Sequence, residues 1–598
     1  MTEAMGPFRV WKQTGTHGDV FAAAGLADLL KATDDRVRIR DLGSDFEVET
    51  TRRLERAELH RIPQAPGYPF LKTSEKVSVP KGAQDVVDYK IEKAKADRRK
   101  QAARAQGATR RRTGEDPQAR AQMQEGAVRE DWRLLQVLNA LGGHKTSNSV
   151  HRTIVELKRS AFCDDVTAGL TRLAGDEGAA DVEWKVSTVQ VFTPIAAKGY
   201  SRLKPDSTDR NDKTKEQWAD PFVEWLRYRG YFRIACPFFQ GAHVRLLCPV
   251  PADISIGALG FVARELRKRG VFGGPPKMDA LAVLRLAELL IRHSEEYHDE
   301  GLEVAPGLFL HTKSPADAVS GIMVTHYQSL GNAKAVSAMS TLVLPGWFPV
   351  TSREDAKLWL AILDEHQRVI RGLRDGSRPG EKAHSDEIGL LIAYRRFLEA
   401  RGDGAMWALL TFVEEYGPFL IRAREQKRKV RSFRTDYLRR VLMGSAGDDV
   451  PVMVTAVLGD PGFQAVAAAV RRATVGAQGQ KAMGIPDHRE IRYDLLHELR
   501  RKRSMPGVAP LMETVADFVS RYNSENARRR EMGKRRVPRN VTTEEFSGFA
   551  ALVERHGSPL VGALLCAFGS CREPREGEVA EGGADGGAAE GTGAEGQE

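Results

Sequence analysis

Cysteine is scarce in this chain and badly spaced for chemistry. The five residues, Cys163, Cys236, Cys248, Cys566 and Cys571, are odd in number and include no CxxC pair, so neither a disulfide framework nor a zinc knuckle is expected. Long apolar runs are missing too: none approaches the roughly 18 residues a membrane span needs. The opening MTEAMGPFRVW lacks the basic-then-apolar order of a secretory leader. A cytoplasmic protein without a membrane partner is the expectation. Catalytic signatures are also wanting. Gly15 and Gly18 sit in a Gly-rich turn, but neither GxxxxGK[ST] nor GxGxxG is present. There is no GxSxG, no kinase set and no regular carboxylate pair for a two-metal nuclease. His293 and His298 are five apart, which turns them about 140° from one another on a helix, whereas zinc ligands need a spacing of four. His384-Ser-Asp386 reads as a helix start with Ser385 or Asp386 as the cap. The expectation is a non-enzyme with no metal and no cofactor.

What the chain has in excess is positive charge. The 598 residues carry a net +10, and residues 573–598 hold eight acids against one arginine, a local −7. Residues 1–572 therefore carry +17, an excess that favours polyanions and speeds encounter with them. The Gly/Ala/Glu tail at 573–598 is expected to be disordered. Three segments concentrate the cations. Arg422 to Arg440 has nine Lys/Arg against two acids, His488 to Arg503 six against three, and Arg521 to Asn540 eight against two. They lie on or beside amphipathic helices and are interleaved with Phe433, Tyr437, Tyr493 and Tyr522. A single charge run is usually a solvated helix face; three together suggest sustained contact with a nucleic-acid backbone. The residues chosen for it are Lys427, Arg428, Lys429, Arg431, Arg434, Arg500, Arg501, Arg528, Arg529, Arg530 and Lys534. A fourth basic stretch, Lys90 to Arg112, has ten cations against two acids and few apolar side chains, so it reads as a mobile insertion or a piece ordered by a polyanion.

At 66.1 kDa the chain is too long for one core. The expected class is α+β, a mixed α/β N-terminal and middle region followed by a C-terminal helical bundle. Boundaries are set at 1–130, 131–375, 385–572 and 573–598, with RDGSRPGEKAH (374–384) as the linker. Phe8 to Lys31 predicts a strand, a turn and a helix capped by Asp19. Alternation predicts a strand at Val182 to Ser187 and a hairpin of Tyr231 to Pro237 with His243 to Val250. Asp253 is expected to cap the next helix, and further strands fall near Ile322 to Tyr327 and Thr341 to Leu344. Between them, Gln328, Asn332 and Lys334 form either a loop able to read base edges or a strand-to-helix turn capped by Asn332. Thr351 to Glu354 and Thr542 to Glu545 read as capping boxes.

The opening GTHGDVFAAAGLADLL, with FVSRYNSENARRR and FAALVERHGSPLVGALLCAFG near the end, resembles the large subunit of type I CRISPR effector complexes, the Cascade family. That resemblance implies a non-catalytic DNA- and RNA-binding subunit of a ribonucleoprotein in antiviral defence. Its α+β part would contact the guide-RNA handle and read the protospacer-adjacent motif. Its bundle would line the path of the target or displaced strand of DNA. Its partners would be guide RNA, target DNA, the other effector subunits and a helicase-nuclease recruited in trans. Base pairing reads sequence in such complexes, so the protein needs many phosphate contacts and few base contacts. Two other readings stay open: a metal-dependent nuclease or phosphoesterase, and a free-standing helical DNA-binding protein.

Overall fold

The computed structural model describes residues 4–109, 128–175, 191–192, 220–240, 243–268, 271–294, 315–330, 333–345, 350, 352–377, 381–445, 450–485, 487–534 and 537–574. It has the expected α+β composition, in two compact units. One comprises Met1–Arg269 and His293–Leu342, the other Gly270–Arg292 and Val343–Glu598.

The first unit is built around the helix His17–Leu30, every residue of which except Asp28 is buried. A helix apolar on all sides has to sit inside a core. Its cap is Thr16, whose Oγ1 accepts from the Gly18 N–H at 3.2 Å. Asp19 is not the cap; its carboxylate accepts from the N–H groups of Thr14 at 3.0 Å and Gly15 at 2.8 Å and so closes the preceding turn. Against this helix lies Pro221–Ile234, capped by Asp220. Two glycines permit the approach. A Cβ on Gly25 would lie 1.8 Å from the Leu226 carbonyl oxygen, and one on Gly230 would lie 1.9 Å from that of Phe21. Tyr231 to Ile234 therefore ends a helix, and the strand expected there begins only at Cys236. A helix buried on all sides shows no 3.6-residue polarity, which left the alternation of Phe232, Ile234 and Cys236 as a misleading strand signal.

Two four-stranded sheets flank these helices. The first orders Asp253–Ser255, Arg38–Asp41, Asp45–Glu49 and Phe8–Trp11, all antiparallel. Asp253 belongs to this edge strand and pairs with Arg38, Oδ2 accepting at 2.6 Å; Ser255 instead caps the helix Ile256–Lys268, its Oγ accepting from Ala258 N at 3.2 Å. The second sheet contains the expected hairpin, Cys236–Gln240 with His243–Pro251, next to Val319–Leu330 and Ala333–Val343. Gln328 is exposed on Val319–Leu330 and Lys334 falls within Ala333–Val343. The segment read as a base-reading loop or a strand-to-helix turn is thus two consecutive strands; Asn332 lies outside the described residues, as do Val182 to Ser187 and His298. Of the Lys90 to Arg112 stretch, residues up to Thr109 form the helix Tyr89–Thr109. Tyr89 and Ala96 pack against Leu71, Val87, Trp132 and Leu135, so its first turns bury an apolar edge.

In the second unit Pro275–Arg292 packs with Arg353–Gly372 and Ser385–Glu399. Ser352 caps Arg353–Gly372, accepting from Asp355 N at 3.1 Å, and Trp359, Ile362, Leu363 and Ile370 are buried as their spacing predicts. The stretch 374–384 lies within this unit. Asp375 accepts from the Gly274 N–H at 2.5 Å, and Lys277 Nζ donates to the Leu373 carbonyl. Ser385–Glu399 is preceded by His384 at the cap position without a side-chain bond, and Asp386 pairs with Arg422 at 3.1 Å, so neither Ser385 nor Asp386 serves as the cap. Asp403–Glu425 runs through the middle, in contact with Ser385–Glu399, Leu495–Arg503 and Ser558–Ser570. The Thr542 to Glu545 capping box forms in both directions. Ser558–Ser570 is buried at every position but Pro559. Among the described residues, no single helix is long and apolar enough to cross a membrane.

Candidate nucleic-acid interface

The three basic segments meet along residues 487–493. Glu425, at the end of Asp403–Glu425, accepts from Tyr493 Oη at 2.7 Å and Lys481 Nζ at 3.1 Å. Four residues earlier, Arg489 donates to Glu525 at 2.8 Å and to Asn526, both on Ala509–Glu531. Asp487 then receives Arg529 at 3.3 Å and Lys534 at 3.2 Å. Residues 36 to 68 positions apart in the chain are in this way brought to a common seam.

Many of the cations are nevertheless committed to the fold. Arg428 gives both terminal nitrogens to Glu387, each at 2.8 Å, and adds the Gly372 carbonyl at 3.1 Å. Arg434 is buried; it donates to Asp436 at 2.5 and 3.0 Å and lies 4.0 Å over the Tyr437 ring. Arg500 pairs with Glu415 at 2.7 Å, and Arg503 with the fully buried Glu414 at 2.6 Å. Arg529 is held by the Asp487 carbonyl at 2.9 Å. Arg431 leans toward Glu365 at 3.9 Å, and Arg530 donates to the Pro538 carbonyl at 3.3 Å. For Arg428, Arg434 and Arg529 the reading as phosphate-facing side chains is corrected, because each spends several donors within the fold and has few left for a phosphate; Arg500 gives one N–H to Glu415 and keeps the rest. Two interleaved aromatics also prove to be core, since Phe433 and Tyr522 are each 2 % exposed, whereas Tyr493 is 43 % exposed.

Desolvation dominates the buried acids that anchor these pairs. Burial lifts the Glu365 carboxyl to about 7, against the opposing pull of the Arg434 N–H at 2.9 Å and of Arg431 and Arg572. Burial raises Glu414 in the same direction, with Arg503 opposing it. Burial likewise lowers Arg424, which donates to Ser432 Oγ at 2.7 Å and the Val475 carbonyl at 3.2 Å. These groups hold loops in place.

Four of the chosen residues remain. Lys427, Lys429, Arg501 and Arg528 are exposed and make no ion pair or side-chain hydrogen bond among the described residues. Lys427 is distinctive in its backbone. Its φ is +57°, the only positive value at a described residue other than glycine. It occupies the left-handed position after Asp403–Glu425, where its N–H donates to Arg424 O at 2.9 Å and that of Arg428 donates to Ala423 O at 3.0 Å. Glycine is the usual occupant of that position. A lysine there carries steric cost for no packing return. Apart from Arg434, whose acid Asp436 is two residues on, the paired arginines look like these four in the sequence, because acids such as Glu387, Glu415 and Glu414 lie 41 to 89 positions away.

Among the described residues no three of His, Cys, Asp and Glu gather as metal ligands. No family model and no curated relative matches the chain.

Proposed function

We propose that the helical unit holds a nucleic-acid strand by its phosphates on Lys427, Lys429, Arg501 and Arg528, and that the chain is the non-catalytic large subunit of a CRISPR RNA-guided DNA surveillance complex. The observation that carries the reading is a division of labour among the three basic segments: several arginines are bonded to acids of the fold, whereas Lys427, Lys429, Arg501 and Arg528 are exposed and make no side-chain bond among the described residues. Electrostatic contact of this kind is independent of base sequence and suits a protein that leaves sequence reading to a guide RNA. In such a complex the α+β unit would contact guide RNA and motif-bearing duplex, and cleavage would come from a recruited helicase-nuclease. Reaction chemistry is assigned to none of this chain's residues.

The test is binding of single-stranded DNA, and of a guide-RNA heteroduplex, across a salt series. Each of Lys427→Ala, Lys429→Ala, Arg501→Ala and Arg528→Ala should weaken binding equally for all sequences and reduce the salt slope by about 0.7 to 0.9. An unchanged slope in all four removes the phosphate track. Cleavage by the chain alone in magnesium or manganese would replace the reading with a nuclease. Tight duplex binding without RNA or partner subunits would favour a free-standing DNA-binding protein.

A further inference from the structure

A second concentration of cations lies in the other unit, and it surrounds a cavity. Its volume is about 730 Å³, and six basic residues line it against two acids. A space of this size accommodates a ligand of a few tens of atoms. Three of the cations are internally engaged. Arg129 is bonded to Asp85 and Asp131, Lys268 is paired with Glu265 at 3.0 Å, and Arg267 donates to the carbonyls of Ala263, Phe232 and Arg233. The remaining three, Arg99, Arg133 and Arg264, have no carboxylate partner among the described residues. Arg264 rests 5.2 Å over the Phe261 ring. Arg133 is solvent-accessible, yet its surroundings withhold enough water to pull its guanidinium below the ordinary value, and no carboxylate among the described residues offsets that loss.

Three guanidinium groups at one concavity without a carboxylate partner among the described residues call for an anion, and the fork geometry of arginine suits phosphate oxygens. The rest of the lining is mixed: Val128, Leu134, Glu130 and Asp131, with two rings, Trp132 and Phe232. Trp132 is held against Tyr89 at 5.0 Å, and Phe232 is stacked on Tyr68 with ring planes 7° apart. Rigid rings beside unpaired arginines are the combination by which proteins bind a nucleobase and its phosphate together.

We propose that this cavity binds a mononucleotide, with the phosphate on Arg99, Arg133 and Arg264 and the base against the half-buried ring of Phe232, which the core residue Trp132 backs. The nucleotide is either free or the terminal residue of a single strand. The lining residues all belong to the first unit, and the proposal holds whether or not the cations of the helical unit contact nucleic acid.

Isothermal titration of the full chain tests it, using the four ribonucleoside monophosphates, the matching nucleosides, inorganic phosphate, and tetranucleotides with and without a 5′-phosphate. A monophosphate or a 5′-phosphorylated tetranucleotide should bind one per chain, with the nucleoside at least tenfold weaker. Response to the monophosphate identifies a free ligand, and response to the tetranucleotide alone identifies a strand end. Arg133→Glu and Arg264→Glu should each abolish the signal with unchanged thermal midpoints, and Arg56→Glu, an exposed charge reversal elsewhere in the same unit, should retain it. Absence of binding by every probe, or binding unaltered in both cavity variants, overturns the proposal. If a cavity variant loses its fold, quenching of wild-type tryptophan fluorescence by the nucleotide decides instead, and no quenching counts against the site.

Discussion

Arg428 and Glu387 form a bidentate pair across 41 residues of chain, both contacts at 2.8 Å and the glutamate side chain 3 % exposed. Desolvating two charges is costly, and removing one strands the other. Arg428→Ala should therefore destabilise the chain by about 3 kcal/mol, and the joint change Arg428→Met with Glu387→Leu should recover most of that. Denaturant unfolding of the three variants measures it. A single mutant within 0.5 kcal/mol of wild type would show that the pair is ornamental, and Arg428 would return to the set of phosphate contacts.

The same pair marks where the sequence was legible. Thr542 and Glu545 declare a capping box because both partners lie within one turn, and it forms. The cap of His17–Leu30 was misassigned because Thr16 and Asp19 are equally good acceptors locally; the choice between them depends on which N–H groups the turn at Thr14 and Gly15 presents. Charge was visible in the basic segments, whereas its neutralisation was not, because Glu387, Glu365, Glu414 and Glu415 belong to helices distant in sequence. The candidate cavity was invisible for a similar reason: Arg99, Arg133 and Arg264 come from three separate helices, and only folding brings them to one space.

Gly25 and Gly230 are where the first unit tolerates no side chain. A methyl group at either would overlap a main-chain carbonyl oxygen, which cannot move without displacing its helix. Gly25→Ala and Gly230→Ala should each cost roughly 3 kcal/mol or leave the unit unfolded. Gly389 is the control, being a helical glycine with nothing within 4 Å of an added Cβ. Gly389→Ala should raise stability by about 0.5 to 1 kcal/mol. Thermal midpoints that fall together for all three, or fail to fall for the first two, would contradict the close helix contact.

His17 and Glu365 should contribute to stability with opposite pH dependence. His17 is buried and bonded to Thr325 Oγ1 at 3.0 Å, and desolvation holds its imidazole down at about 4. Between that value and the ordinary 6.5 the unfolded chain takes up a proton that the folded chain refuses. The contribution of His17 is therefore complete above pH 6.5 and decays toward pH 4, a loss on the order of 3 kcal/mol. Glu365 does the reverse. Raised by burial to about 7, it binds its proton more readily when folded, so its contribution is present below the unfolded value near 4.5 and is lost as pH rises through 7. NMR titration of the His17 ring, and the pH slope of unfolding in Glu365→Gln, read the two separately. A His17 midpoint near 6.5, or a slope unaltered by Glu365→Gln, would refute the respective half.

Lys427 separates structure from function at one position. Its left-handed backbone favours glycine, so Lys427→Gly relieves steric cost in the folded state while loosening the unfolded chain. The net effect should lie between no change and a gain of about 1 kcal/mol. Strand affinity should move the other way, because the substitution deletes an unpaired cation and leaves the helix end intact. A variant at least as stable as the parent yet weaker on single-stranded DNA, with a salt slope lower by about 0.7, would show that this lysine is kept for what it binds. A stable variant with undiminished affinity would leave the strained conformation without a purpose in recognition, and the phosphate track would have to begin at Lys429.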